Sequence, residues 1–437
     1  MKVVPLACVR PAPEVARDVA ALPYDVFSRE EAAAAVVGKP LSFLNIDRPE
    51  TQFPPEQDMY APEVYARARE LLEARIADGT FVEDAAPCYY LYRLEMDDHA
   101  QTGFVSCCAI DDYLDGTIKR HENTRAEKEL DRIRHIEALG AQTGPIFLAF
   151  RETAELRELA RRACSDTPLY DFTAEDGMRH TVWRMAEPAR VEAVRTAFAQ
   201  VPCAYIADGH HRAASAVKVG LARREAARAA GQQLTGEEPF NFFLSVLFPA
   251  EELAILPYHR VVHDLGLDAE GRPRTPERLL ADLRAAGFTI QPSSEPVQPG
   301  KDATHRASSD APSHAGRAIF GMYLAGSWWH VLAPQPSPAE AADPVARLDA
   351  SVLQNYLLGP VLGISDPRTD ARVEFVGGIR GLPELERRVI ETGGVAFSLR
   401  PTTLDELLAV ADAGLLMPPK STWFEPKLRS GLFIHRI

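Results

Sequence analysis

Residues 205–220 read YIADGHHRAASAVKVG. Tyr205 to Ala207 form a short apolar run of the kind a core strand uses, and the run stops at Asp208-Gly209. Two histidines and an arginine follow at once, and a helix is expected to begin near His210. Glycine at 209 reaches backbone angles closed to other residues and lets a ligand approach the main chain. The first amides of a helix have no internal partners. Together with the helix dipole they favour an anion, phosphate best of all. Arg212 adds a planar, permanently charged fork, and His210 and His211 add further donors. The alternative is a capped helix with Asp208 as its N-cap and both histidines at the surface. One shared metal ion does not suit the two histidines, because adjacent helical residues point about 100° apart.

Outward from this corner the chain mixes strand pairs with helices. PCYYLYRLEM and TGFVSCCAIDDY read as a strand pair, GPIFLAF as a buried strand, and LYDFTAEDGMRHTVWRM as two strands joined by a Glu-Asp-Gly turn. NFFLSVLFPAEELAILPYHRVVHDL is expected to supply two further strands, and RAIFGMYLAGSWWHVLAP a hairpin. Helices are expected over APEVYARARELLEARIADG, ended by Gly79, and over RVEAVRTAFAQVP. Ser28 followed by Glu30 and Glu31 marks another helix start. Thr124 and Glu127 have capping-box spacing for a helix closed at Gly140. The order is not a strict βαβ alternation, so the class is α+β (mixed α/β). QPSSEPVQPGKDATHRASSDAPSHAG, near 293–316, reads as a mobile surface insertion.

Composition narrows the function classes. The chain has 437 residues and a formal charge of −14, with no basic run to offset repulsion from nucleic acid. No apolar stretch is long enough for a membrane span, and the first residues lack the pattern of a signal peptide. A cytoplasmic protein is therefore expected. The six cysteines form no CxxC pair, which argues against structural zinc, and Cys107 and Cys108 are expected to be buried free thiols. No P-loop and no GxGxxG turn occurs. HENTR (121–125) starts like HExxH but ends in Arg125, and His259 and His263 lie on a strand that spreads them too far for one ion. Glu122, just ahead of a helix and beside Lys119, Arg120 and His121, is either a capping or solvated carboxylate or a general base. In MPPKSTWFEPKLRSGLFI, Lys420, Ser421 and Thr422 follow two prolines, as either a phosphate-embracing loop or a rigid approach to a final strand.

Three of these stretches occur together, in this order, in a known family. YIADGHHRAASAVKVG resembles the phosphate-binding motif of the ParB/sulfiredoxin superfamily, in the Asp-Gly-His-His-Arg form found in free serine kinases. Those kinases phosphorylate the hydroxyl of free L-serine with ADP or ATP. RHENTRAEKEL resembles the stretch in which they carry a catalytic carboxylate, a His-Glu dipeptide ahead of a helix. PPKSTWFEPK resembles their Pro-Lys-Thr-Thr loop, with Ser421 for the first Thr. Over nearly its full length the chain is similar to a broad bacterial family of uncharacterised proteins related to those kinases. LPYDV (22–26), ILPYHR (255–260) and MPPKSTWFEPK (417–427) stand where that family has PPYDV, ILPTHR and MPQKSTYFYPK.

The resemblance implies an N-terminal α/β region over 1–95 with no counterpart in the compact kinases. A ParB/sulfiredoxin-like catalytic core would span 96–265. A C-terminal α/β region over 266–437 would carry the phosphate-site loop near 417–427. It implies phosphoryl transfer from ATP or ADP, with Mg²⁺, to free L-serine or a similar hydroxyl metabolite. Gly209, His210, His211 and Arg212 would hold the donor phosphates. His210 would sit closest to the transferred group, where sulfiredoxins place their reactive cysteine. Glu122 would take the hydroxyl proton, and Asp208 would meet Mg²⁺ or the substrate amine. Lys420, Ser421 and Thr422 would close over the phosphate, and His121, His259 and Arg260 would meet the substrate. The rival readings are a non-catalytic nucleotide-binding regulator and, against the charge, a nuclease.

Overall fold

The computed structural model describes residues 1–268, 270–298 and 317–437. They form a mixed α/β protein in two compact units, Met1–Leu253 with Pro426–Ile437, and Ala254–Glu425.

The first unit is built on a nine-stranded sheet. Its path runs through Ile118–Lys119, Ala204–Asp208, Ile146–Phe150, Phe242–Pro249, His99–Ala109, Tyr89–Met96, Arg179–Met185 and Tyr170–Thr173, and Val3–Val4 pairs with His99–Ala109. Aromatic and β-branched residues, which suit a pleated and buried surface, fill these strands. Ala204–Asp208 lies parallel to Ile118–Lys119 and antiparallel to Ile146–Phe150, with an irregularity between Ile206 and Asp208. A bulge at a strand end re-aims the side chain that follows it, and here that side chain is Asp208. Ile118, Leu148, Ala204, Ile206 and Ala213 share one apolar core.

Two helices complete the corner. His210–Ala229 starts directly after Gly209, whose φ of +92° only glycine adopts freely. Gly209 takes the N-cap position, so Asp208 ends the strand and is not the cap. Ala126–Leu139 closes at Gly140 in the left-handed conformation, as expected. Its start differs from expectation. Arg125 is the N-cap with no side-chain cap, and the Thr124 hydroxyl turns to Glu129 instead of the helix amides. Ser215 Oγ donates to the Glu129 carbonyl at 3.1 Å and ties the two helices together.

A second sheet of the first unit joins Phe81–Glu83, Cys8–Pro11, Ile434–Arg436 and Ala141–Gln142, so the last strand of the chain pairs with one of the first. Ser28 caps Arg29–Ala35 with a full capping box. All six cysteines are free, and Cys107 and Cys108 are buried.

The second unit holds a six-stranded antiparallel sheet in the order Thr289–Ser293, Ser327–Leu332, Ile319–Leu324, Val395–Ser398, Tyr258–Val262 and Val373–Gly377. Ala254–Leu256 pairs separately with Trp423–Glu425. The stretch 241–265 thus supplies three strands and not two, because Pro257 interrupts the second run. Of the insertion expected near 293–316, residues 299–316 lie outside the described residues. The part before them is held, with Val297 buried and its carbonyl accepting from Ser398 Oγ at 2.5 Å. Among the described residues no helix is long and apolar enough to cross a membrane.

Candidate functional site at the Asp208–Arg212 corner

The parallel pairing of Ala204 with Ile118 runs residues 120–125 alongside the end of the Ala204–Asp208 strand. Two segments distant in sequence therefore meet. The His121 and His210 rings stand edge to face with centroids 4.5 Å apart. The His121 amide donates to His210 Nε2 at 3.5 Å, and His210 Nδ1 faces Glu122 Oε2 at 4.0 Å. His211 turns away, and its Nε2 accepts from the Arg125 amide at 3.0 Å. The helical angle between neighbours has separated the two histidines, as expected.

Burial sets the charge of this corner. His121 is 2% exposed, and burial pulls its imidazole down to about 4. Burial, followed by the neighbouring His121, lowers His210 well below the ordinary histidine range. Both rings are therefore neutral near pH 7, each with one donor and one acceptor nitrogen. Neither ring nitrogen of His121 has a hydrogen-bond partner. A buried polar group is normally satisfied, so an orphaned imidazole beside a helix N-terminus is the mark of a ligand position.

Arg212 is committed more tightly than its sequence context suggests. It is 8% exposed, donates from Nη1 to the Pro145 carbonyl at 2.7 Å, and from Nη2 to Asp208 Oδ2 at 3.1 Å. Its guanidinium lies against Gly209, where any side chain would meet it at 3.1–3.2 Å. Asp208 has a second cation, Lys427 Nζ, at 3.7 Å. A carboxylate shared by two cations does not fit a resident metal ligand. Among the described residues no group of three or more His, Cys, Asp or Glu is placed to hold a metal ion.

Behind the corner lies a cavity of about 30 Å³ lined by Tyr24, Asp47, Arg132, His135, Thr143 and Arg212. That is room for about one water, and Asp47 Oδ2 is buried there without a partner. Tyr24 belongs to the LPYDV stretch, so the N-terminal region reaches the back of Arg212.

The remaining expected site residues lie in the second unit. Arg260, expected to meet a substrate carboxylate, instead donates to the carbonyls of Tyr258, His259, Pro419 and Lys420 at 3.0–3.3 Å. Its guanidinium also stacks on Phe375 at 4.4 Å. Burial brings it down to about 9. His259 Nδ1 accepts from the Leu399 amide at 3.2 Å, and burial lowers the ring to about 4. Both residues hold main chain in this structure. Lys420 adopts φ +53° with its ammonium 5.5 Å from the Tyr258 ring. Ser421 Oγ donates to the Pro418 carbonyl at 2.7 Å. Ser421 and Thr422 precede the Trp423–Glu425 strand.

Sequence reasoning missed Lys427 and the orphaned nitrogens of His121. Lys427 had a signal, since it closes the MPPKSTWFEPK stretch. The state of His121 had none, because it arises from packing against a histidine far along the chain.

No curated protein matches the sequence. Among solved structures, the chain is similar to a free serine kinase variant in complex with AMP. That match has 14% identity, covers 73% of this chain and 86% of that one, and has a TM-score of 0.34. A conserved hypothetical protein from Pyrococcus furiosus matches at 14% identity over 74% and 93% of the two chains, with a TM-score of 0.32. A C-terminally truncated SbnI from Staphylococcus aureus matches at 12% identity over 74% and 82%, with a TM-score of 0.31. A family model described as a protein of unknown function, DUF1015, matches residues 3–351, and the chain belongs to that family.

Proposed function

We propose that the first unit is a small-molecule kinase, built on a ParB/sulfiredoxin-like core, that binds the phosphates of ATP or ADP at the Gly209–Arg212 corner. The acceptor is the hydroxyl of free L-serine or a close relative, as the motif resemblance implies. The observation that carries the reading is the 4.0 Å approach of Glu122 to His210. It brings a carboxylate to the N-terminus of the His210–Ala229 helix, the pairing this chemistry needs.

In this mechanism the amides of Gly209, His210 and His211 hold the donor phosphates, and the neutral imidazoles of His121 and His210 add hydrogen bonds. Glu122 takes the proton of the acceptor hydroxyl. The acceptor oxygen bonds to the terminal phosphorus as the bond to the bridging oxygen breaks, and ADP or AMP leaves. Arg212 fixes Asp208 and the Pro145 carbonyl, so it acts on the phosphates through the shape and field of the corner. Phosphoryl transfer depends mainly on positioning and charge stabilisation, so few groups suffice.

The test is incubation with ATP or ADP, Mg²⁺ and each hydroxyl amino acid, followed by mass spectrometry for the phosphorylated product. O-phosphoserine is expected, and its formation is expected to collapse in Glu122→Gln. Absence of product with every donor and acceptor would remove the kinase reading. A second reading, nucleotide binding without turnover, draws on the engagement of Arg212 with Asp208. Binding of nucleotide with no product from any acceptor would favour it.

A further inference from the structure

We propose that Lys427 is a phosphate-binding residue of the corner, a cation that leaves Asp208 to meet the terminal phosphate of a nucleoside di- or triphosphate. The inference rests on the phosphate-binding reading of Gly209–His211.

Asp208 carries two cations of different character. Arg212 is buried, anchored on a main-chain carbonyl as well as on Asp208, and packed against Gly209. Moving it would strand a carbonyl and a buried charge, which is costly. Lys427 approaches the same Oδ2 at 3.7 Å, and Arg212 at 3.1 Å. An ammonium on a four-carbon stem can change partners by rotation alone, whereas a bidentate fork cannot. Of the two cations on Asp208, Lys427 is the one whose side chain can turn toward an arriving charge.

The backbone that bears Lys427 is pinned on both sides. Before it, the Pro426 carbonyl accepts from Gln101 Nε2 at 3.5 Å. After it, Arg429 Nε donates to His180 Nε2 at 3.2 Å, and the Arg429 guanidinium pairs with Asp176. Ser430 and Ala21 exchange two main-chain hydrogen bonds at 2.8 and 3.2 Å. The strap therefore stays in place while the side chain swings. Its starting point, Asp208, is two residues from the first helical amide, within reach of an anion held there.

Isothermal titration of the full chain with ADP tests this. Lys427→Met is expected to weaken ADP binding about tenfold or more, the worth of one charge-assisted hydrogen bond. Lys427→Arg is expected to restore most of it, and the Met variant should show a shallower fall of affinity with salt. Loss of packing alone would not be rescued by Arg or change the salt dependence. Should the Met variant fail to melt cooperatively, Lys427→Gln serves with the same expected loss. If wild type binds ADP and the neutral variant binds within about twofold of it, with a charge-assisted contact worth far more, Lys427 has no such role and the phosphate corner stands. If wild type binds neither ADP nor ATP, both readings fall.

Discussion

Glu122 keeps 37% of its side chain open to solvent while the histidine it faces is almost fully buried. That asymmetry suits a base that collects a proton from a small acceptor and returns it to water. Glu122→Gln keeps the shape and removes the basicity, so turnover is expected to fall about 10²–10⁴-fold. ADP binding by titration should stay close to wild type; a matching loss of binding would show that Glu122 holds ligand and does not act as the base. His121 gives a pH prediction. Its folded value, about 4, lies below the ordinary 6.5, so the unfolded chain binds the extra proton between those values. Stability is thus full above pH 6.5 and falls as pH drops toward 4. His121→Gln cannot be protonated and should reduce the loss between pH 7 and 4.5 by about 2–3 kcal/mol, as urea unfolding would read. An unchanged slope would mean that His121 is charged in the fold. At this scale the run from Asp208 to Arg212 was legible because its residues are contiguous. The partners of Arg260 were not legible, because they are main-chain carbonyls, which leave no trace in a sequence.

The helix His210–Ala229 carries the corner, and its middle is as constrained as its start. Gly220 sits where a Cβ would overlap the Phe240 carbonyl oxygen and lie 2.9 Å from Ile110 Cδ1. Helix propensity favours Gly→Ala by about 1 kcal/mol, but overpacking against a backbone atom costs about 1–3 kcal/mol. Gly220→Ala should therefore be neutral to destabilising, by up to about 2 kcal/mol in urea unfolding. A clear gain in stability would show that the Pro239–Asn241 turn yields freely. The same helix explains which elements a sequence reveals. Its start was legible from the change of pattern at Gly209. The start of Ala126–Leu139 was not, although Thr124 and Glu127 have the right spacing. Glu129, paired with Lys218 of the neighbouring helix, draws the Thr124 hydroxyl away from the helix amides. A tertiary contact has overridden a local rule.

The mixed α/β class was readable from the interleaving of strand pairs and helices, but the path of the chain was not. Residues 254–425 form a unit with their own sheet and cores, and the chain then returns to the first unit for its last twelve residues, Pro426–Ile437. Which strand a terminal segment pairs with is not encoded locally, so FIHR gave no hint of Cys8–Pro11 as its partner. That return segment carries Lys427, the Arg429 anchor and Phe433. The Phe433 ring packs 5.4 Å from Tyr90 and 5.6 Å from Tyr92. Losing one buried Phe costs about 3–5 kcal/mol, and the segment also buries Leu428, Leu432 and Ile434. Domain stabilities are about 5–15 kcal/mol, so a chain ending at Glu425 should lose the fold of its first unit. Residues 254–425 should keep theirs, since their cores draw on no part of the deleted segment. Hydrogen exchange read by mass spectrometry separates the two cases. Amides of Tyr89–Met96 and Ala204–Asp208 should exchange freely in the shortened chain, while those of Ile319–Leu324 and Val395–Ser398 stay protected. Protection of all four strands would mean that the return segment is dispensable to the sheet. Loss in all four would mean that the second unit depends on the first for its fold.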